Sequence, residues 1–90
     1  SKIADEFIKY YHIPETNFVV NNKQQIIDSI ASAFKESKQD TLDGLTIWFG
    51  QSWVNIRPSN TESILRLNAE AKSQSELDSI VAKVTKHITG

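Results

Sequence analysis

Apolar residues recur along this chain with two different periods. Over residues 22–36, Ile26, Ile27, Ile30, Ala33 and Phe34 fall at i, i+1, i+4, i+7 and i+8, with Lys23, Asp28, Ser32 and Lys35 facing away. That spacing predicts an amphipathic helix with one face toward a core. Asn22, with Gln25 three residues on, has the form of a capping box at its start. Leu77, Ile80, Val81, Val84 and Ile88 repeat the helical stripe near the C-terminus, and Ser73 with Glu76 offers a second capping box. Between these helices the period falls to two. Leu45, Ile47 and Phe49 alternate with Thr46 and Trp48; Val54 and Ile56 alternate with Trp53, Asn55 and Arg57; Leu65, Leu67, Ala69 and Ala71 alternate with Arg66, Asn68 and Glu70. Such alternation predicts strands buried on one face. Asp43-Gly44 marks a turn before the first of them, and Gly50-Gln-Ser52 is a short hairpin connection after it. Phe18-Val-Val20 is a short β-branched and aromatic run, read as one more strand, whereas residues 37–40 are polar and read as loop.

The predicted order is strand, helix, three strands, helix. The fold class is therefore α+β: a small, mostly antiparallel sheet with both helices packed on one face. The other face is left for solvent or a cleft. Ile3, Phe7, Ile8 and Tyr11 suggest a helical turn or two at the N-terminus, which His12-Ile-Pro-Glu15 breaks. Nothing in the rest of the pattern offers that turn a core partner. Residues 1–16 are accordingly expected to be the tail of a preceding domain and a linker, and residues 17–90 to form the domain proper.

Composition narrows the function mostly by exclusion. Ninety residues make one domain with one modest core. A formal net charge of −1 argues against nucleic-acid binding by broad electrostatic attraction, but not against a local anion site. With no cysteine there is no thiolate metal site or disulfide, and His12 and His87 have no ligand spacing. No apolar run approaches the ~20 residues of a membrane span and no signal peptide is visible, so a cytoplasmic location without membrane contact is expected. No nucleophile–base pair, P-loop or dinucleotide fingerprint stands out. Asp40 and Asp43 read as solvated loop carboxylates, Glu70 as a strand-surface residue, and Glu62 as a group orienting Arg57 or the loop amides. Arg66 either pairs with a carboxylate or contacts a substrate. Trp48 and Trp53 serve packing, an interdomain contact or base stacking.

The candidate chemistry is concentrated after the second of the three alternating strands, where Trp53-Val-Asn-Ile-Arg57 runs into Pro-Ser-Asn-Thr-Glu62. Arg57, Ser59, Asn60 and Thr61 bring a guanidinium, two hydroxyls, a side-chain amide and several backbone N–H groups into five residues. A guanidinium grips two phosphate oxygens in a bidentate fork, and successive turn amides form an anion-binding concavity. Pro58 fixes its own φ and disfavours helix at Arg57, so the strand leads directly into the loop. A phosphate site and an ordinary strand connection made of turn-forming residues both fit this composition.

Arg57-Pro-Ser-Asn-Thr-Glu62, with Asp43-Gly44 and Trp53 upstream and Leu65-Arg66 and Glu70-Ala71 downstream, resembles the C-terminal domain of the α-D-phosphohexomutases, the phosphoglucomutase/phosphomannomutase type. The resemblance spans residues 17–88. It implies the last of four domains, whose loop holds a sugar's phosphate, with Arg57, Ser59, Asn60 and Thr61 as its ligands. It also implies a parent enzyme that interconverts hexose 1-phosphate and 6-phosphate through a phosphoserine and a bisphosphate intermediate. In that scheme the catalytic serine lies on another domain. This segment holds no catalytic residue, metal or cofactor, and is inactive alone. Mg2+ is implied for the parent enzyme, bound elsewhere. The partners implied are the hexose phosphate and the enzyme's other domains, with a linker near residues 9–16 letting this domain rotate over the cleft. Two positions depart from the family pattern. Pro14-Glu15-Thr16-Asn17 stands in place of a Gly-Glu-Ile-Asn-like tetrapeptide, and Ser63 in place of a frequent proline. Two other readings carry different expectations. A double-stranded RNA-binding module shares the order helix, three strands, helix, but would need a basic cluster where Ser73-Gln-Ser-Glu-Leu-Asp78 is acidic. A pure protein-docking domain would bury Arg57 against a carboxylate with no room for phosphate.

Overall fold

The alternating segments of residues 45–71 form the middle of a six-stranded antiparallel sheet in the structure, a computed structural model that describes residues 10–89. Strands β1 (Tyr11–His12), β2 (Thr16–Val19), β3 (Lys38–Asp40), β4 (Leu45–Phe49), β5 (Ser52–Pro58) and β6 (Ile64–Ala71) are joined by helices α1 (Lys23–Ala33) and α2 (Gln74–Thr89). The sheet order is β1-β6-β5-β4-β3, with β2 also on the outer edge of β6. The register pairs Leu45 with Ile56, Ile47 with Val54, Ile56 with Leu67 and Val54 with Ala69, so the apolar side chains of three strands fall on one face. Ile26, Ile27 and Ile30 of α1 and Leu77, Ile80, Val84 and Ile88 of α2 pack onto that face and complete the core. Each large aliphatic side chain so buried contributes about 1.5–3 kcal/mol. The α+β class and the two helices on one face are as the periodicity predicts.

Three local expectations are corrected. Residues 38–40, expected as loop, form edge strand β3 against β4. An edge strand needs backbone pairing but no apolar alternation, and polar residues there discourage further pairing. Gln39 on this strand donates from Nε2 to the carbonyls of Ala31 (2.9 Å) and Phe34 (2.7 Å), satisfying the end of α1, which stops at Ala33 rather than near residue 36. Ala33, expected on the apolar stripe, is exposed, whereas Ala31 is half-buried. The second correction is at the helix starts. The Asn22 side chain makes no cap bond to backbone but donates to Gln25 Oε1 at 3.3 Å. Ser73 does cap α2, accepting from the Glu76 N–H at 3.1 Å, but the Glu76 carboxylate accepts from the buried hydroxyl of Ser52 instead of closing the box.

The third correction concerns the N-terminal segment. Part of the expected linker lies in the sheet: Tyr11 and His12 pair with Ala71 and Glu70, Thr16 pairs with Leu67, and the Ile13 N–H donates to Ala69 O. The eight-residue β6 offers a long edge, and Pro14, lacking an N–H, divides the chain that covers it into β1 and β2. Tyr11 is thus in a strand, while the rest of the expected N-terminal helical turn lies outside the described residues.

Candidate anion-binding site

β5 and β6 are joined by residues 59–63, and this loop is fastened from two sides. At its base the Ser59 N–H donates to Ile64 O at 3.0 Å. Within it the Ser59 Oγ accepts from the N–H groups of Thr61 (3.3 Å) and Glu62 (3.2 Å). From the helical layer, Lys23 Nζ donates to the carbonyls of Ser59 (2.6 Å) and Glu62 (2.8 Å). Sequence reasoning placed Lys23 on the outward face of α1 and missed this contact. One signal was available. Lys23 is the first residue of the helix, where the dipole disfavours a cation, so a lysine there calls for another partner.

Arg57 lies two residues before this loop and points away from the core. It is directly opposite Arg66 across the β5–β6 pair. Like charges in that position repel, and the arrangement calls for neutralising groups. Arg57 has two: Glu15 Oε1 at 3.3 Å from Nη2 and Asp43 Oδ2 at 3.6 Å from Nη1. Glu15 also accepts from Asn68 Nδ2 at 3.4 Å. Glu62, expected to orient Arg57 or the loop amides, supplies a backbone carbonyl to Lys23, and the carboxylates paired with Arg57 are those of Glu15 and Asp43. Arg66 pairs with no carboxylate among the described residues, and its Nε is buried without a hydrogen-bond partner. Gly44 explains why Asp43 can reach Arg57. Its φ is +71°, and a Cβ there would collide with the Ile56 carbonyl oxygen and lie 2.7 Å from Arg57 Cγ. Only glycine lets the turn before β4 press against the arginine's own backbone.

All four residues singled out from the sequence, Arg57, Ser59, Asn60 and Thr61, line one concavity of about 520 Å³, together with Asp43, Gly44 and Arg66. The Ser59 oxygen already accepts two amides, so its O–H is free to donate. The side chains of Asn60 and Thr61 stand at the rim without intramolecular hydrogen bonds among the described residues. The Arg57 side chain is 37% exposed, and so is not sealed against its carboxylates as a purely structural pair would be. Ion pairs this accessible are worth at most about 1 kcal/mol, which leaves the guanidinium open to exchange. A larger concavity, about 580 Å³, lies on the same sheet face between His12, Trp48, Trp53, Asn55, Asn68 and Glu70. Its charged walls are the carboxylates of Asp43 and Glu70, which suit an anion poorly. Lys38 Nζ lies 5.4 Å from the Trp48 ring centre, a cation–π contact from the edge strand.

Other chemistry has no comparable geometry. Among the described residues no three His, Cys, Asp or Glu side chains come together to hold a metal ion. No described helix is long and apolar enough to cross a membrane. With β3 in place, four strands separate the helices, which departs from the helix, three strands, helix order of the RNA-binding module.

Comparison with known proteins identifies the family. Residues 15–87 match the family model described as phosphoglucomutase/phosphomannomutase, C-terminal domain. The chain is 40% identical over 84 residues to the phosphomannomutase of Methanocaldococcus jannaschii, an alignment covering 93% of this chain and 19% of that protein. It is 39% identical over 77 residues to the phosphoglucosamine mutase of Methanococcus maripaludis strain C5, covering 81% of this chain and 17% of that protein. Identity to the phosphoglucomutase/phosphomannomutase of Thermococcus kodakarensis is 37% over 76 residues, covering 82% and 17% respectively. The chain thus spans less than one fifth of the length of these curated relatives. With the family model matching residues 15–87, most of the chain, and relatives 37–40% identical across it, the chain belongs to the phosphoglucomutase/phosphomannomutase family, as its C-terminal domain.

Proposed function

We propose that this domain holds the phosphate of a hexose phosphate while the sugar's other end reacts elsewhere in a parent phosphohexomutase. The observation that carries the reading is the cross-strand arginine pair. Arg57 and Arg66 face each other across β5 and β6 beside a loop of hydroxyl and amide donors, and only Arg57 has carboxylate partners among the described residues. A dianion placed between the two guanidiniums would turn their repulsion into a shared attraction. Arg57 exchanges Glu15 and Asp43 for phosphate oxygens, the Ser59 hydroxyl donates its free proton, and Asn60 and Thr61 close the rim. Arg66, which lines the same concavity, adds its positive charge. Phosphate held in this way orients the reacting end of the sugar, spending remote binding energy on alignment.

In this reading the parent enzyme is cytoplasmic and exchanges a phosphoryl group between the 1- and 6-positions of a hexose, through a phosphoserine and a bisphosphate intermediate. The sugar is one of those named by the relatives, mannose, glucosamine or glucose phosphate. The nucleophile and a Mg2+ ion belong to domains outside this chain, and the 90-residue chain is inactive by itself. Because the intermediate presents either end, the clamp reads phosphate and not sugar stereochemistry. The test is kinetic, in a full-length enzyme carrying this domain. Arg57→Ala should raise KM for the sugar phosphate by about 100-fold, the scale of a lost charge-assisted pair. Unchanged KM and kcat would refute the clamp.

A further inference from the structure

From the geometry beneath the loop we infer that Lys23 is a positioning residue for anion binding, aiming the Asn60 amide into the site from the opposite side of the sheet. This rests on the phosphate reading above and adds a residue that reading does not contain. Lys23 Nζ draws two carbonyls, Ser59 O at 2.6 Å and Glu62 O at 2.8 Å, toward the helical layer. These two carbonyls flank Asn60 and Thr61. In a trans peptide the N–H of the next residue points opposite to the carbonyl, and the described residues have no cis bond. Pulling Ser59 O toward α1 therefore turns the Asn60 N–H away from α1, toward the side on which Arg57 and Arg66 stand. That N–H has no intramolecular partner among the described residues, whereas those of Thr61 and Glu62 are held by Ser59 Oγ. Asn60 itself lines the concavity. The lysine thus fixes one free amide toward the anion without touching it.

Two further facts fit this role. Lys23 is half-buried, so its charge is not spent on solvent. It also begins α1, where the helix dipole opposes a cation, a cost that the two carbonyl bonds offset. A lysine serving α1 alone would be better placed at the other end of the helix.

The experiment measures glucose 1-phosphate binding to the 90-residue chain by amide NMR titration, alongside the melting temperature, for wild type, Lys23→Met, Lys23→Arg and Gln39→Ala. Gln39 closes the far end of α1 and is the control for stability lost without change at the loop. The expected result is affinity weakened about tenfold in Lys23→Met, a step of about 1.4 kcal/mol. Lys23→Arg should recover most of it, because a guanidinium also donates to two carbonyls. Gln39→Ala should lower the melting temperature and leave affinity within twofold of wild type, a spread of about 0.4 kcal/mol. In the unliganded spectra the Asn60 amide should move in Lys23→Met and stay in Gln39→Ala. Should Lys23→Met fail to fold, Lys23→Gln carries the same test. Wild-type binding with an equal affinity in Lys23→Met would overturn the positioning role alone. Should the wild-type chain not bind, the same variants are compared by KM in a full-length enzyme carrying this domain, where an unchanged KM in Lys23→Met would overturn the positioning role alone and an unchanged KM in Arg57→Ala would overturn the clamp.

Discussion

Toward the helices, β4, β5 and β6 present Leu45, Ile47, Val54, Ile56, Leu65, Leu67, Ala69 and Ala71, none more than 1% exposed. Away from them the same strands present Trp53, Asn55, Arg57, Arg66, Asn68 and Glu70, every one half-buried. A single backbone register builds both faces, yet they obey different energetics. The inner face is held by burial, which is strong, non-directional and cooperative. The outer face holds a repelling arginine pair in check with accessible carboxylates, worth little individually. Stability is concentrated on one face, while the outer carries charge free to change partners. Substitutions on the two faces should therefore separate folding from binding.

The largest effect is expected on the inner face. Ile56→Ala removes a fully buried side chain between β4 and β6, and should cost about 2–5 kcal/mol in urea denaturation. Gly44→Ala blurs the contrast, because it lies beside the outer site but carries a core-sized penalty. Its positive φ and the collision with Ile56 O should cost about 1–3 kcal/mol and displace Arg57, weakening anion binding at the same time. Arg66→Leu sharpens the contrast. Relief of the like-charge pair should leave stability within about 0.5 kcal/mol of wild type, while calorimetry shows weaker phosphate binding. The smallest effect, of opposite sign, is expected for Glu15→Gln. Releasing Arg57 from its nearer carboxylate should change the melting temperature little and tighten phosphate binding by up to about fivefold, the scale of an exposed ion pair.

The inner face was legible in the sequence because burial leaves a periodic trace. Every alternating strand and both helical stripes are found where the period places them, apart from the early end of α1. β3 was missed because an edge strand of Lys38, Gln39 and Asp40 leaves no such trace. On the outer face the local cluster of Arg57, Ser59, Asn60 and Thr61 could be read, since those residues are adjacent in the chain. Its supports could not. Lys23, Glu15 and Asp43 reach the loop and Arg57 across 36, 42 and 14 positions of sequence, and only the register brings them together. Gly44 was visible as a turn, but its second task, making room for Arg57, depends on a neighbour assigned by strand pairing.

The central claim is that the outer face binds phosphate through Arg57 and the loop after it. Amide and guanidinium NMR spectra of the chain, recorded while inorganic phosphate or glucose 1-phosphate is added and with chloride as the ionic-strength control, test it most directly. The account predicts saturable shifts at Arg57, residues 59–61 and Arg66, equal in pattern for both ligands and absent in Arg57→Ala. Shifts that chloride reproduces, or that fall on Trp48, Trp53 and Asn55 while the loop stays silent, would contradict it.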